Sequence, residues 1–293
     1  MKNYNLKEIV ENLIETFLYA GEISLSLRDE GLKKQIKSDN TPVSNGDLEV
    51  NKILIKKLLE ITPDLPIVSE ETSHNKSNEN LKNFWLVDPI DGTYDYIHNL
   101  EEFTINAGLI INSKPVAGLI NAPAKKRMFY SYGKNNSFEI VNGNHKQIDC
   151  SKKTPENYVK VVSYSNKRKP EIEKIHNELG VDEFVRMKSS LKFCVVATGE
   201  FDGYVAEPRA YEWDIAAGHA IVQNAGGIMT DFEGNEILYG KENFFVMFKG
   251  RASLPFIQHC VMRQDSKYGF LYDFTFNHYF KICLRLPLKS NKY

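Results

Sequence analysis

Three short segments of this chain each bring an element to its end on a carboxylate. Glu70 stands in I-V-S-E-E (67–71), Asp88 and Asp91 in W-L-V-D-P-I-D-G-T (85–93), and Asp214 in E-W-D-I-A-A-G (212–218). In each, the acid reads as a side chain presented at the end of an element, not as part of a solvated charged face. Brought together by folding, such groups repel. Two carboxylates about 4 Å apart cost on the order of 4 kcal/mol at an effective dielectric of about 20. A fold that gathers them must hold protons or cations there, and oxygen-only ligands of this kind suit Mg2+.

The rest of the composition bounds the answer more loosely. A chain of 293 residues is long enough for one large domain or two closely packed halves. Its 42% apolar and 26% charged content is that of an ordinary globular protein. A formal net charge of −1 removes any global electrostatic case for a nucleic acid polymer or an anionic membrane as partner, and leaves room for a local basic pocket for a small anion. The start, M-K-N-Y-N-L-K-E-I-V-E-N-L, lacks the apolar stretch of a secretory signal. No run approaches the roughly 18 apolar residues of a membrane span. Cys150, Cys194, Cys260 and Cys283 are far apart, with no C-x-x-C. They read as reduced thiols of a cytoplasmic protein, with a metal or redox role as the alternative. Peripheral association with an inner membrane is left open.

Helical spacing of Leu6, Ile9, Val10, Leu13, Ile14, Phe17 and Leu18 predicts an amphipathic helix over 6–27. A second helix follows T-P-V-S-N-G-D and places Asp47 in its first turn. I-V-S (67–69) reads as a short strand, 73–83 as a surface loop, and F-W-L-V-D (84–88) as a strand that Pro89 stops. Further β-like runs cover 103–111, 116–121, 127–132 and 137–141, with a hairpin turn at N-S-K-P (112–115). After a break near 150–157 the pattern alternates. Strands are expected at 159–164, 183–187 and 203–206, and helices at 170–179, 190–199 and 213–225. The class is α/β or α+β, with helices layered on sheets. We divide it into an N-terminal half (1–150) with most of the acids, a C-terminal half (151–248) with Asp214, and an atypical tail (249–293).

D-P-I-D-G-T carries the strongest chemical signal. Pro89 cannot donate along a strand, so the chain turns just after Asp88. That turn lets Asp88, the Ile90 carbonyl and Asp91 converge. Gly92 permits close approach, and Thr93 opens a short helix whose free N–H groups suit phosphate. Taken singly, the other acids have ordinary explanations: a solvated pair at Glu70–Glu71, a helix cap at Asp214. The conjunction argues otherwise.

The set G-D (46–47), S-E-E (69–71), D-P-I-D-G-T (88–93) and W-D-I-A-A-G (213–218) resembles the inositol monophosphatase superfamily of Mg2+-dependent, lithium-sensitive phosphomonoesterases. Three longer stretches are similar to its 3′(2′),5′-bisphosphate nucleotidase (CysQ-type) branch: F-W-L-V-D-P-I-D-G-T with E-E-F-T-I-N-A-G-L-I, K-P-V-A-G-L-I-N-A-P, and K-S-S-L-K-F-C-V-V-A-T-G-E-F-D-G-Y. The resemblance implies a five-layer αβαβα sandwich. It implies that Glu70, Asp88 and the Ile90 carbonyl hold one Mg2+, that Asp88, Asp91 and Asp214 hold a second, and that Glu70 helps with a third where three bind. It makes Asp47 and Thr93 the pair that orients and deprotonates the attacking water. The Gly92 and Thr93 amides would hold phosphate oxygens, and Glu70, Ile90, Asp91 and Asp214 would also border the substrate.

For the nucleotide itself the resemblance points to Ser189, Ser190, Lys192 and Arg209. Lys or Arg beside a second phosphate makes electrostatic sense. The implied reaction removes the 3′-phosphate of adenosine 3′,5′-bisphosphate, or of its sulfated form. The protein is expected to act on this small phosphorylated nucleotide as a monomer or homodimer; the rivals are an inositol or sugar phosphate at the same metal centre, and a non-catalytic nucleotide-binding protein. Two departures stand out. E-P-R-A-Y-E-W-D (207–214) is three residues shorter than the branch pattern, with Glu207 before Pro208. About 50 residues after L-Y-G-K-E-N (238–243) lack family resemblance, though Phe270, Tyr272, Phe274 and Phe276 alternate as in a strand. An added strand, an oligomer contact or a degenerate C-terminus are the competing readings of that tail.

Overall fold

The structure is a computed structural model, and it describes residues 4–37, 41–75, 81–152, 158–206, 210–231, 234–241, 244 and 259–263. Helix α1 (Leu6–Glu30) opens on Asn5, whose side chain accepts the Glu8 amide, and buries Ile9, Val10, Leu13, Ile14 and Phe17 on one stripe. A small antiparallel pair, β1 (Lys34–Ile36) and β2 (Pro42–Ser44), leads into α2 (Asn45–Ile61). These strands were not foreseen.

The first sheet follows in chain order: β3 (Ile67–Ser69), β4 (Phe84–Asp91), β5 (Thr104–Ile111), β6 (Lys114–Ala122), β7 (Arg127–Tyr132), β8 (Ser137–Val141) and β9 (Asn144–Gln147), with α3 (Thr93–Ile97) between β4 and β5. Only β3 and β4 run parallel; every later pair is antiparallel. Because helices cover both faces, the strands read as near-continuous apolar runs. Along β4, Trp85 and Val87 face α1 and α2, whereas Phe84 and Leu86 join the core on the opposite side.

The second sheet comprises β10 (Val159–Ser163), β11 (Val181–Arg186), β12 (Gly203–Ala206), β13 (Gly227–Thr230) and β14 (His259–Arg263), in the order β11-β10-β12-β14-β13. The helices of this half are α4 (Pro170–Glu178), α5 (Leu191–Ala197) and α6 (Glu212–Asn224). Helices α5 and α6 are sandwiched: Ile215, Ala216, Ile221 and Phe193 share one core with Phe84 and Ile120 of the first sheet and with Val162 and Tyr204 of the second. Helix α4 packs beside β11 on the outer face. The layers are therefore α1–α2, sheet, α5–α6, sheet, α4, the expected αβαβα sandwich.

Two features fix α6. Gly108 and Gly118 lie opposite each other on β5 and β6. A Cβ at Gly108 would meet Ala216 at 2.7 Å, and one at Gly118 would run into the Ala217 carbonyl. The helix thus rests directly on sheet backbone, which sets the position of Asp214 at its start.

The structure corrects several boundaries. Pro89 does not end its strand. Strand β4 continues to Asp91, and a one-residue bulge falls between the pairs Asp88–Asn106 and Asp91–Thr104. A bulge is a place in a sheet where the missing proline N–H costs no ladder bond. The polar segment after β3 begins as a turn of 3₁₀ helix, Glu70–Asn75, and α5 is shorter than the 190–199 expected. From the tail, residues 259–263 form the antiparallel strand between β12 and β13. Phe270, Tyr272, Phe274 and Phe276 lie outside the described residues.

Candidate active site

Four elements converge on the bulge of β4. Asp88, only 1% exposed, forms the floor, and its Oδ1 is buried without a hydrogen-bond partner. Asp91, one bulge further on, is partly exposed. Gly92 then turns the chain at φ 95°, where a Cβ would lie 2.9 Å from the Glu102 carbonyl, so only glycine leads comfortably into α3. Thr93 follows, with its hydroxyl 3.2 Å from Asp47 Oδ1 and 3.1 Å from the Ile90 carbonyl.

Asp47 is the third residue of α2, and it is held by a capping box. Its Oδ2 accepts from the Ser44 amide at 2.8 Å and from the Ser44 hydroxyl at 2.6 Å. That leaves Oδ1 for Thr93. Burial pushes the Asp47 carboxyl up, the two bonds from Ser44 pull it down, and the net direction is upward.

Glu70, the first residue after β3, is pushed up to about 7, chiefly by burial; Lys37 opposes, and Glu71 and Asp47 add. The hydrogen bond it shares with Asp88 lowers Glu70 and raises Asp88. Burial and then the charges of Glu70, Asp91 and Asp214 hold Asp88 well above the usual range. Asp214 is likewise raised, by burial first and then by Asp91 and Glu70, against the pull of Lys192. The acids of the three sequence segments therefore share one field. Lys37, which the sequence did not single out, ion-pairs with Glu71 at 2.9 Å and Glu70 at 3.4 Å.

Asp214 is the third residue of α6, and its Oδ2 accepts the Tyr211 amide at 2.7 Å. Ser190 ties it to the first half: its hydroxyl lies 2.6 Å from Asp91 Oδ2 and 2.7 Å from the Asp214 carbonyl, and accepts from Asn106 Nδ2 at 3.0 Å. Ser189 is buried in the left-handed region at φ 52°. Lys192 is also buried, its ammonium on the Ser189 carbonyl and within 5.3 Å and 5.7 Å of the Tyr204 and Tyr164 rings. Arg209 lies outside the described residues. Asn106 and Lys188, which pairs with buried Asp95, are further polar residues here that the sequence did not flag.

The donor set fits Mg2+. It is all oxygen, it includes a buried carboxylate oxygen without a partner, and it crowds acids whose charges raise one another. Among the described residues, no three His, Cys, Asp or Glu side chains are already gathered as a metal cage. Mg2+ keeps several waters and binds together with substrate phosphate, so its protein ligands need not form a closed cage beforehand.

Comparison with known proteins gives the family. The profile described as "Inositol monophosphatase family" matches residues 5–253. The chain belongs to the inositol monophosphatase family. Strand β14 lies just beyond the matched span. Among relatives in this family, the "3'(2'),5'-bisphosphate nucleotidase CysQ" of Salmonella typhimurium is 31% identical over 241 residues, covering 81% of this chain and 96% of that protein. The protein of the same description from Buchnera aphidicola is 37% identical over 205 residues, covering 69% and 76%. The crystal structure of CysQ from Bacteroides thetaiotaomicron, described as a bacterial member of the family, superposes with a TM-score of 0.66 at 26% identity, covering 89% of this chain and 98% of that one. The chain is a phosphatase of this family. Among the described residues, no helix is long and apolar enough to cross a membrane.

Proposed function

We propose that this phosphatase removes the 3′-phosphate of adenosine 3′,5′-bisphosphate, and of its sulfated form, in a Mg2+-dependent hydrolysis in the cytoplasm. The observation that carries the reaction type is the unpartnered oxygen of Asp88 among three other acids, beside the Asp47–Thr93 pair. The substrate follows from the relatives named as bisphosphate nucleotidases, at 31% and 37% identity.

In this reading Glu70, Asp88 and the Ile90 carbonyl would hold one Mg2+, and Asp88, Asp91 and Asp214 would hold a second. Bound there, the cations supply a water of lowered pKa and neutralise charge on the attacking and leaving oxygens. The chain's own residues do the rest. Thr93 takes a proton from the attacking water as its own passes to Asp47 Oδ1, while Ser44 keeps that carboxylate oriented. The amides of Gly92 and Thr93 orient the phosphate. Ser189, Lys192 and Arg209 receive the remainder of the nucleotide. The 1–150 half thus brings the proton relay and most metal ligands, and the 151–248 half brings Asp214 and the nucleotide contacts.

Phosphate release from adenosine 3′,5′-bisphosphate, inositol 1-phosphate and a sugar bisphosphate, with and without Mg2+, tests the reading. Fastest turnover of the bisphosphonucleotide supports it. Equal or faster turnover of inositol 1-phosphate overturns the substrate, and tight nucleotide binding with no release at millimolar Mg2+ overturns catalysis.

A further inference from the structure

We propose that Ser190 is a positioning residue for the divalent cation. Its hydroxyl locks Asp91, from the first half, to the start of α6, from the second, so that the Asp91 and Asp214 carboxylates address one ion. The inference rests on the metal-dependent reading above and goes beyond its ligand assignments, in which Ser190 has no part.

The argument is one of hydrogen-bond supply. Ser190 is 1% exposed, so water does not serve its hydroxyl. The oxygen accepts from Asn106 Nδ2 at 3.0 Å. It has one proton to give and two acceptors in reach, Asp91 Oδ2 at 2.6 Å and the Asp214 carbonyl at 2.7 Å. The carboxylate is the stronger acceptor. One oxygen of Asp91 is thereby tied down, and rotation of that carboxylate is restricted.

Asn106 is in turn the cross-strand partner of Asp88, and Thr104 that of Asp91. The chain Asn106–Ser190–Asp91 therefore starts beside one acid and ends on another. Ser190 immediately precedes α5, the helix buried between the two sheets, so its position is set by core packing. Second-layer hydrogen bonds of this kind are worth about 10- to 100-fold in metal affinity.

The test is isothermal titration calorimetry of Mg2+ into EDTA-stripped wild-type protein, S190A and D91N, and the double variant, without substrate. S190A is expected to weaken Mg2+ binding about tenfold or more. In the double-variant cycle the two effects should be strongly non-additive, since Ser190 acts through Asp91. Thermal melts in EDTA accompany each titration, and N106A serves as a second variant that leaves Ser190 in place while removing its donor. A smaller loss of Mg2+ affinity in N106A supports the chain of bonds. A lower melting temperature in S190A with unchanged Mg2+ affinity overturns the proposal and leaves Ser190 a purely structural residue. Additive effects in the cycle overturn it as well. Absence of Mg2+ binding to the wild type would instead remove the metal-dependent reading on which it stands.

Discussion

Protons and Mg2+ compete for the same oxygens in this site, and the competition has a calculable slope. Glu70 is pushed up to about 7, by burial before any charge, and it shares its hydrogen bond with Asp88, which is raised too. In the unfolded chain both return to the ordinary carboxylate range. Between that range and about 7 the folded, metal-free protein binds more protons than the unfolded chain, so its stability falls as pH rises. For Glu70 alone, the span from 4.5 to about 7 corresponds to on the order of 3 kcal/mol. His176 and His219 act in the other direction, since burial lowers them to about 4 and about 3 and stability rises as they lose their protons in the unfolded chain. They sit against Arg168 and Tyr239, away from the acids, so a bare melting curve mixes both effects but a Mg2+ titration does not. If binding displaces one proton, apparent Mg2+ affinity rises tenfold per pH unit, roughly 100-fold between about pH 5 and about pH 7, and levels off above that. Calorimetric titration of stripped protein in two buffers of different ionisation enthalpy measures both affinity and protons released. Glu70→Gln should flatten the slope. An affinity independent of pH, or a slope unchanged in that variant, would refute the reasoning.

Three further outcomes follow from the same geometry. Asp88→Asn should abolish Mg2+-dependent turnover, by more than the 10²- to 10³-fold typical of one electrostatic stabiliser, while melting of the metal-free protein stays level or rises, because a carboxyl whose charged form burial and three acidic neighbours disfavour is replaced by a neutral amide. Asp47→Asn and Asp47→Ala should both lower kcat, by about 10²- to 10⁴-fold for a lost general base. Only the alanine variant should also lose stability, by about 1 kcal/mol in urea titration, since asparagine still accepts the Ser44 bonds of the capping box. Removal of residues 249–293 deletes β14 and opens the edges of β12 and β13, so the truncated chain should lose cooperative melting; an intact transition would show that the second sheet closes without that strand.

The parts of this fold that were legible in the sequence are those set by local spacing. The helical stripe of α1, the cap of α2 and the Gly92–Thr93 start of α3 depend on neighbours within a few residues. The resemblance supplied the layer order. What stayed hidden depends on partners far along the chain. Pro89 reads as a strand stop because its tolerance inside β4 depends on the register of β5 opposite. Lys37 looks like any solvated lysine until Glu70 and Glu71 arrive from beyond α2. Asn106 reads as one polar residue in an apolar strand, and its use appears only when Ser190 packs against it from 84 residues away. The strand at 259–263 carries no pattern that would place it in the middle of a sheet.

The helix-opening acids show why one reading of a residue need not exclude another. Asp47 and Asp214 each stand third in their helix, and each returns its Oδ2 to the backbone amide of the residue before the helix, Ser44 in one case and Tyr211 in the other. By sequence alone such an acid is a cap, and it is one here. The cap, however, takes one oxygen and pins the side chain, and the second oxygen is then aimed by the helix itself. In α2 it meets the Thr93 hydroxyl; in α6 it belongs to a carboxylate whose charge is felt by Asp88. Capping keeps these carboxylates rigid at small cost, whereas a long side chain loses rotamer freedom to hold one geometry. Glu70, with one more rotatable bond and no cap, has instead the ammonium of Lys37 beside it, shared with Glu71. The helix-capping role and the site role of Asp47 and Asp214 are thus one structural device read at its two oxygens.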